Sequence, residues 1–297
     1  MNKVFNLLFI LLTGVFVASC SKDSGSGSVA LRDYTEQYAK DIDTLDWFID
    51  NHYMTVTPDF DVTFTPITSD TPGTSIRNQT EFPLQFKMVE KENHGVTYKV
   101  YYINFREGAN RRPSSVDSVH VSYRGVLVNT NQFDSAPNPM WFSLNGVVPG
   151  WAQIVPMFKT GFYTDTGGPN PITFSDFGTG VMFLPSGLGY FGQQRANIPV
   201  YSPLIFSFKL YELRYTDQDR DGILSKDEVA NPGDDPLEYD LDGDGVPNMS
   251  DVDDDGDGVM TKHELHRDTD GNIIFEDCDG DGVPNYLDPD SDGSTCN

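Results

Sequence analysis

Aspartates recur at every second or third position in the last third of the chain, at spacings that suit cation binding. The segment DQDRDGILSKDE, residues 217–228, fits the calcium-loop template D-x-D-x-D-G-x5-E without a gap, and DDDGDGVMTKHE, residues 253–264, fits it again. In such a loop the carboxylates at positions one, three, five and twelve converge on a hard cation, while glycine permits the sharp turn. The predicted ligands are Asp217, Asp219, Asp221, Glu228, Asp253, Asp255, Asp257 and Glu264.

A second acidic pattern occurs twice, as DLDGDGVPN and DCDGDGVPN, each followed by a further aspartate. The pattern DxDxDGVPNxxD resembles the thrombospondin type 3 calcium repeat, which implies a chain wrapped around ions with little apolar core. A predicted strand precedes the first loop, so we expect EF-hand-like loops without a complete helix-loop-helix fold. The predicted ligands of the two repeats are Asp240, Asp242, Asp244, Asn248 and Asp251, then Asp277, Asp279, Asp281, Asn285 and Asp288.

The cofactor expected in this tail is structural Ca²⁺, since Mg²⁺ tolerates crowded protein cages poorly and extracellular calcium modules bind at roughly 10⁻⁴ to 10⁻³ M. The alternative is a disordered acidic tail. Random acidity would not place Gly, Val-Pro-Asn and Glu at fixed offsets, and this favours calcium.

Four segments in the middle of the chain carry aromatic residues in a fixed order. They are VSYRGVLVNTNQFDSA, VVPGWAQIVPMFKTG, LPSGLGYFG and NIPVYSPLIFSFKLYEL, within residues 115–214. In this order they resemble the signature blocks of FKBP-type peptidyl-prolyl cis-trans isomerases. The resemblance implies an α+β fold, an antiparallel β-sheet wrapped on a short helix, with no cofactor for catalysis. The pocket residues that it implies are Tyr123, Phe133, Asp134, Val147, Val148, Trp151, Tyr190, Ile198 and Phe206.

The resemblance also implies roles for these residues. Phe133, Trp151 and Phe206 would hold a proline ring. The Tyr190 hydroxyl and the Ile198 backbone N–H would bind substrate carbonyls, and Asp134 would orient the twisted carbonyl with Tyr123 nearby. One further pocket aromatic, just before the second block, is either Trp141 or Phe142. Without the ordered blocks, such aromatics at strand positions would be assigned to the core.

The pocket needs a sheet and a helix to position it. Alternating or β-branched and aromatic residues predict strands in VTYKVYYINF, SVHVSYRGVLV and PLIFSFKLYEL, while GWAQIVPMF predicts a helix that Pro156 shortens. Apolar residues at spacings of three and four predict an N-terminal helix in DYTEQYAKDIDTLDWFIDNHY, capped by Asp33 with Glu36. Residues 55–79 show no clear period and predict an irregular connector. Between Gly161 and Gly180 the chain has a long insertion, typical of a functional loop or a decoration.

The charge of the chain lies almost entirely in the tail. Residues 217–297 hold 26 acidic and 4 basic residues, whereas the first 216 hold 19 acidic and 16 basic ones. An acidic tail repels phosphates, so we expect no nucleic-acid partner.

The first residues predict export. An apolar run in residues 7–17 follows one lysine and precedes VASC, which resembles a bacterial lipobox and implies a signal peptide over residues 1–19 with lipidation of Cys20. A polar tether, residues 20–30, follows. In an oxidising compartment Cys278 and Cys296 would form a disulfide. We therefore expect an outer-membrane lipoprotein in the cell envelope of a Gram-negative bacterium, periplasmic or surface-exposed, held to the membrane by lipid.

These observations divide the mature chain into three parts: an N-terminal extension with a helix (31–80), an isomerase domain (81–215) and acidic calcium-binding repeats (216–297). Two functions fit this organisation. The first is a prolyl isomerase acting on X-Pro bonds of envelope or exported polypeptides. The second is a catalytically weak module that binds Pro-containing segments as a chaperone, or a calcium-dependent adhesion module.

Overall fold

The computed structural model describes residues 31–168, 172–231 and 234–291. The predicted signal peptide, Cys20, the tether and Cys296 lie outside these residues. The helices are α1 (Tyr34–Asn51), α2 (Pro149–Ile154) and α3 (Thr261–Glu264). The strands are β1 (His52–Val56), β2 (Val62–Pro66), β3 (Leu84–Lys91), β4 (Val96–Arg106), β5 (Ser118–Leu127), β6 (Gln132–Ser143), β7 (Phe162–Thr164), β8 (Thr173–Ser175), β9 (Gly178–Leu184), β10 (Leu204–Arg214), β11 (Leu265–Arg267) and β12 (Ile273–Phe275).

The main sheet has six strands in the order β3-β4-β9-β10-β5-β6, and every neighbouring pair is antiparallel. The three predicted strand segments coincide with β4, β5 and β10. Pro137 and Pro139 both lie in β6, an edge strand, where a missing backbone N–H breaks no inner ladder. The predicted α+β fold with an antiparallel sheet is confirmed.

Alternation along the inner strands gives the sheet two buried faces. On β10, Leu204, Phe206 and Phe208 pack in a core with α2, whereas Ile205 between them packs in a second core with α1 and β2. Side chains on a strand point alternately to opposite faces, and this separates the two cores. The N-terminal extension therefore covers the face of the sheet opposite to α2.

Helix α1 begins where the sequence predicts it. The side chain of Asp33 accepts a hydrogen bond from the backbone N–H of Glu36 at 3.0 Å, the predicted cap. Leu45, Phe48 and Ile49 are completely buried against the sheet. The predicted apolar stripe is thus the docking face of the helix.

The segment predicted as an irregular connector instead contains a hairpin. Strands β1 and β2 pair in register from His52 opposite Pro66 to Val56 opposite Val62. Val62 and Phe64 alternate inward and join the core beneath α1. The prediction of an irregular segment was wrong because each strand is only five residues long, and a period of two is hard to recognise over so short a stretch.

The short helix α2 has Pro149 at its first turn, where no backbone N–H is needed. It ends at Ile154, and a 3₁₀ turn over Val155–Met157 follows. Pro156 lies in that turn, as the predicted shortening requires.

The tail packs against the sheet domain through polar contacts. Ser115 donates a hydrogen bond to Asp235 at 2.9 Å, Gln153 of α2 donates to the same carboxylate at 3.3 Å, and Lys91 forms an ion pair with Glu238. Within the part of the chain that the structure describes, no helix combines the length and apolar character needed to cross a bilayer.

Candidate active site and cation clusters

Three antiparallel strands bring the first pocket residues together. Gly125 of β5 lies opposite Phe206 of β10 on one side and Asp134 of β6 on the other. A Cβ atom on Gly125 would lie 2.5 Å from the ring of Phe133 and 3.0 Å from that of Phe206. The absence of a side chain at this position therefore lets two aromatic rings meet above the sheet.

Helix α2 supplies the floor of the pocket. Trp151 is 4% exposed, and its ring lies edge-on to those of Tyr123 and Phe206, each with a centroid distance of 5.4 Å. Phe133 meets Phe206 edge-on at 5.3 Å. Edge-to-face contacts of this kind are favourable between aromatic rings and fix their orientation.

These residues enclose a cleft of about 410 Å³. Eight of the nine predicted pocket residues line it: Tyr123, Phe133, Asp134, Val147, Val148, Trp151, Tyr190 and Phe206. The lining residues that were not predicted include Gln193 and Arg195, and the guanidinium of Arg195 lies 4.9 Å from the ring centroid of Tyr190. A cation above an aromatic face could have been found only from the structure, because the two residues share a loop without regular spacing.

The choice between Trp141 and Phe142 is settled in favour of Phe142. Phe142 lines the cleft and lies 5.7 Å from Tyr123, centroid to centroid. Trp141 instead stacks on His120, with a centroid distance of 4.9 Å. The guanidinium of Arg214 lies over the Trp141 ring, 4.1 Å from its centroid. Neighbouring residues of one strand face opposite sides, so only one of the two could join the pocket.

Ile198 departs from its predicted place. It is buried in the core but does not line the cleft. Its backbone N–H, the predicted donor to a substrate carbonyl, donates to the carbonyl of Arg195 at 3.3 Å. Arg195 and Ile198 close a tight antiparallel bridge, and this bridge uses the N–H within the loop.

The polar edge of the cleft consists of Asp134 and Tyr123. The Tyr123 hydroxyl donates to one carboxylate oxygen of Asp134 at 2.6 Å, and the backbone N–H of Ser135 donates to the other at 2.8 Å. Burial, followed by this hydrogen bond, raises the pKa of Tyr123 above its ordinary value. The phenol therefore stays protonated and holds the carboxylate in one orientation.

The loop that carries Tyr190 is held by the N-terminal helix. Asp41 of α1, 2% exposed, accepts hydrogen bonds from the backbone N–H of Ser186 at 2.7 Å and from its hydroxyl at 2.6 Å. The ring of Tyr34 stacks on Phe191 at 4.1 Å. Helix α1, which lies outside the four signature blocks, thus contacts the loop on both sides of Tyr190, at Ser186 and at Phe191.

The tail brings its predicted carboxylates into compact groups. In each group one oxygen per residue lies within 4.8 Å of the others. The groups within the described residues are Asp219, Asp221, Glu228 and Asp254; Asp240, Asp242 and Asp244; Asp253, Asp255 and Asp257; Asp277, Asp279 and Asp281; and Asp279, Asp288 and Asp290. Asp254 and Asp290 were not predicted, because Asp254 falls between two template positions of its loop and Asp290 lies beyond the last position of its repeat.

The remaining predicted ligands lie outside these groups. Asp217 has a buried oxygen without a hydrogen-bond partner, and Glu264 is buried. The carboxylate of Asp251 accepts from the N–H groups of Val252 and Asp253. Their ligand roles stay predictions.

The two Val-Pro-Asn repeats fold alike. In the first, Asp240 accepts from the N–H groups of Gly243 and Gly245, and in the second Asp277 accepts from the corresponding glycines. The side-chain oxygens of Asn248 and Asn285 each accept from a backbone N–H at the start of their own repeat. These asparagines therefore close the loops, and their predicted role as ligands stays a prediction.

Burial and mutual repulsion shift the pKa values of the innermost acids strongly upward. The pKa of Glu228 is raised to about 10, that of Asp254 to about 8 and that of Asp219 to about 7, in each case first by burial and then by neighbouring carboxylates. These oxygen-only groups are suited to a hard divalent cation, which would remove the repulsion.

Cys278 is disulfide-bonded, and Asn285 donates a hydrogen bond to its sulfur at 2.7 Å. The predicted partner, Cys296, lies outside the described residues, so this pairing stays a prediction.

Two family models match separate parts of the chain. Residues 218–275 match the model described as BamM C-terminal, which the sequence patterns alone did not predict. Residues 109–211 match the model described as FKBP-type peptidyl-prolyl cis-trans isomerase.

Characterised relatives agree with the second match. An FKBP-type 22 kDa peptidyl-prolyl cis-trans isomerase of Escherichia coli K12 is 30% identical over 128 residues, 42% of this chain and 53% of the relative. The FKBP-type isomerase FkpA of Aeromonas hydrophila is 29% identical over 136 residues, 45% of this chain and 43% of the relative. The chain therefore spans about half the length of the curated relatives it matches.

Among solved structures, that of FkpA from Escherichia coli covers 43% of this chain and 51% of its own, with 24% identity and a TM-score of 0.34. The family model and the curated relatives confirm the predicted resemblance over the middle of the chain. Residues 109–211 are thus similar to FKBP-type peptidyl-prolyl cis-trans isomerases.

Proposed function

We propose that the protein is a peptidyl-prolyl cis-trans isomerase that acts on X-Pro bonds of envelope or exported polypeptides. The observation that supports this most is the convergence of Asp134, Trp151, Tyr190 and Phe206, from four separate segments, on one cleft. The family match supports this proposal, and the cleft would supply the groups that such a reaction needs.

The reaction breaks no covalent bond. Rotation about a peptide bond faces a barrier of roughly 18 to 20 kcal/mol, because the planar amide is stabilised by resonance. For X-Pro bonds the uncatalysed change takes on the order of tens to hundreds of seconds. A catalyst therefore has to favour the twisted amide, which is less polar than the planar one.

The cleft has two features that do this. Rings of Phe133, Trp151 and Phe206 form an apolar wall that would take a proline ring and exclude water, and a drier site favours the less polar twisted state. The Asp134 carboxylate, fixed by Tyr123 and Ser135, would orient the rotating carbonyl at the edge. With the Ile198 N–H bound to Arg195, we assign recognition of the substrate carbonyls to the Tyr190 hydroxyl alone.

The proposal extends to the ends of the chain. We infer that Cys20 is lipidated after removal of residues 1–19 and anchors the protein to the outer membrane of a Gram-negative bacterium. The FkpA relatives come from such bacteria, among them Escherichia coli and Aeromonas hydrophila. Palmitate labelling of the expressed protein, with Cys20→Ala as control, tests the anchor. A labelled Cys20→Ala variant would contradict it.

We further propose that Ca²⁺ orders the acidic tail as a structural ion. The support is the set of oxygen-only groups with buried carboxylates that have no other partner, such as both oxygens of Glu228. Calorimetric titration of the full mature chain with CaCl₂ tests this. An absence of binding heat up to millimolar calcium would contradict it.

A protease-coupled or NMR exchange assay on an X-Pro peptide tests the isomerase itself. We expect the mature chain to accelerate the exchange, and Trp151→Ala to remove most of the acceleration. If the wild type binds the peptide without accelerating exchange, the enzyme proposal fails, and the protein is instead a binding module for Pro-containing segments.

A further inference from the structure

The most buried group of acidic side chains combines residues from two distant parts of the tail. Asp219, Asp221 and Glu228 belong to the first loop, whereas Asp254 follows the first Val-Pro-Asn repeat. Asp254 lies at the second position of its own loop, which the template does not use. Nevertheless one of its oxygens lies within 4.8 Å of an oxygen of each of the other three.

The carboxylates of this cluster are removed from water and face one another. Glu228 is completely buried, and Asp254 is 2% exposed. By distance and angle neither oxygen of either residue has a hydrogen-bond partner, although the nearby Asn248 side chain acts to lower the pKa of Asp254. One oxygen each of Asp219 and Asp221 is also buried without a partner. Burying an ionised carboxylate without a partner is costly, so these groups take up either protons or a cation. Four carboxyl groups that converge on one point favour a cation.

The chemistry of the donors specifies the kind of cation. All four residues offer carboxylate oxygen, with no His or Cys among them. Hard divalent cations prefer oxygen ligands, and Ca²⁺ accepts six to eight of them in flexible geometry. Among the described residues, no Lys or Arg forms an ion pair with any of these four acids.

We propose that Asp254 completes the cation site of the first loop, so that one Ca²⁺ joins the segments 217–228 and 253–264. The inference rests on the proposed calcium tail and adds to it a ligand that the loop template lacks. It turns two loops that would each bind an ion alone into one cross-linked unit.

The cross-link lies on either side of the tail segment that contacts the isomerase domain. The chain between the two joined segments carries Asp235 and Glu238, which contact Ser115, Gln153 and Lys91 of the isomerase domain. A cation that closes the two ends of this stretch would hold it in the docked shape. The shared site therefore connects calcium to the surface that includes α2.

The test uses calorimetric titration of the full mature chain with CaCl₂, comparing the wild type with Asp254→Asn and Glu228→Gln. We expect each variant to lose one calcium per chain or to weaken one site at least tenfold. The double variant should lose no more than either single variant, because both residues serve the same ion. Asp227→Asn is the matched control, since Asp227 is exposed in the same loop and pairs with Lys226.

A second measurement, the unfolding temperature with and without calcium, distinguishes a lost ligand from a variant that binds calcium weakly because its fold is disturbed. In EDTA, Asp254→Asn removes a buried acidic group that faces three other carboxyl groups, so the variant should unfold at a temperature equal to or above that of the wild type. In excess calcium the order should reverse. A ligand predicts this reversal, whereas a residue with a purely structural role would shift both temperatures in the same direction.

The possible failures are distinguishable. If Glu228→Gln loses a site while Asp254→Asn keeps the full number and affinity, the shared site is wrong and the calcium tail stands. If the wild type itself binds no calcium, the proposed calcium tail fails and the shared site fails with it.

Discussion

Asp41 accepts two hydrogen bonds from a single residue, Ser186, one from the backbone N–H and one from the hydroxyl. Both residues are buried, and Gln37 donates to the second carboxylate oxygen at 2.7 Å. The contact joins α1 to the turn that leads into Tyr190. A residue outside the matched family region thus positions a wall of the cleft.

We predict that Asp41→Ala disturbs substrate binding more than the chemical step. The substitution leaves two buried donors of Ser186 unpaired, which should lower the free energy of unfolding by about 2 to 4 kcal/mol. The loosened Tyr190 loop should raise KM for an X-Pro peptide by roughly tenfold, with a smaller change in kcat.

Steady-state kinetics and urea unfolding measure both effects. Asp43→Ala is the control, because Asp43 is exposed on the same helix. Asp41→Asn keeps one acceptor and should recover part of the lost affinity. An unchanged KM in a folded Asp41→Ala variant would show that α1 does not position the loop.

A second prediction concerns pH. Burial raises the pKa of Asp41 above its ordinary value, and the hydrogen bonds from Ser186 and Gln37 and the charge of Arg32 only partly offset this. The folded protein therefore binds this proton more tightly than the unfolded chain does. As pH rises from the ordinary pKa of an aspartate, about 3.9, through the higher folded value, the wild type loses this contribution to its stability.

Asp41→Asn does not titrate, so the difference in free energy of unfolding between the two proteins isolates the effect. We expect this difference to shift against the wild type as pH rises from about 4 to 7. The tail acids titrate equally in both proteins and cancel. A difference that stays constant with pH would contradict a raised pKa.

A third prediction concerns the hydrogen bond at the edge of the cleft from the Tyr123 hydroxyl to a carboxylate oxygen of Asp134, with 2.6 Å between the two oxygen atoms. Asp134→Ala and Tyr123→Phe should each lower kcat/KM by about ten- to a hundredfold, because the orienting carboxylate is lost or released. The double variant should lose less than the product of the two, giving a coupling of about 1 to 2 kcal/mol.

Peptide exchange kinetics on the four proteins of this cycle measure the coupling. Thermal unfolding confirms that each variant is folded, and Phe86→Ala, at an exposed position on β3, should be unaffected in kcat/KM. Strictly multiplicative losses would mean that Tyr123 does not act through Asp134.

The sequence predicts the cleft well and its surroundings poorly. The ordered blocks place Trp151, Phe133 and Phe206 correctly because each lies in a short segment with a recognisable local pattern. The choice between Trp141 and Phe142 depends on a change of register between β5 and β6 near Val121, and strand alternation alone does not reveal such a bulge.

Other features depend on contacts between distant segments. Nothing local marks α1 and the β1–β2 hairpin as the cover of the second face of the sheet. Asp254 is invisible to a loop template because its partners belong to another loop. The hydrogen bond from the Ile198 N–H to the Arg195 carbonyl could not be predicted from the sequence, because it depends on the conformation of the loop between them.

The last prediction concerns the insertion between Gly161 and Gly180, which contains the hairpin β7–β8. Phe174 of β8 lies 4.9 Å from Tyr211 and 5.9 Å from His120, and none of the described insertion residues lines the cleft. This placement favours a stabilising decoration over a lid. Phe174→Ala should lower the free energy of unfolding by about 1 to 3 kcal/mol through lost ring packing and leave kcat/KM for a short peptide within about twofold.

Tyr163 offers a matched control, because it lies directly across the hairpin from Phe174 and is 59% exposed. Tyr163→Ala should change stability by less than about 0.5 kcal/mol. Urea unfolding and peptide exchange kinetics separate the two properties. If Phe174→Ala lowered kcat/KM severalfold without changing stability, the hairpin would have to reach the substrate, and its role would be that of a lid.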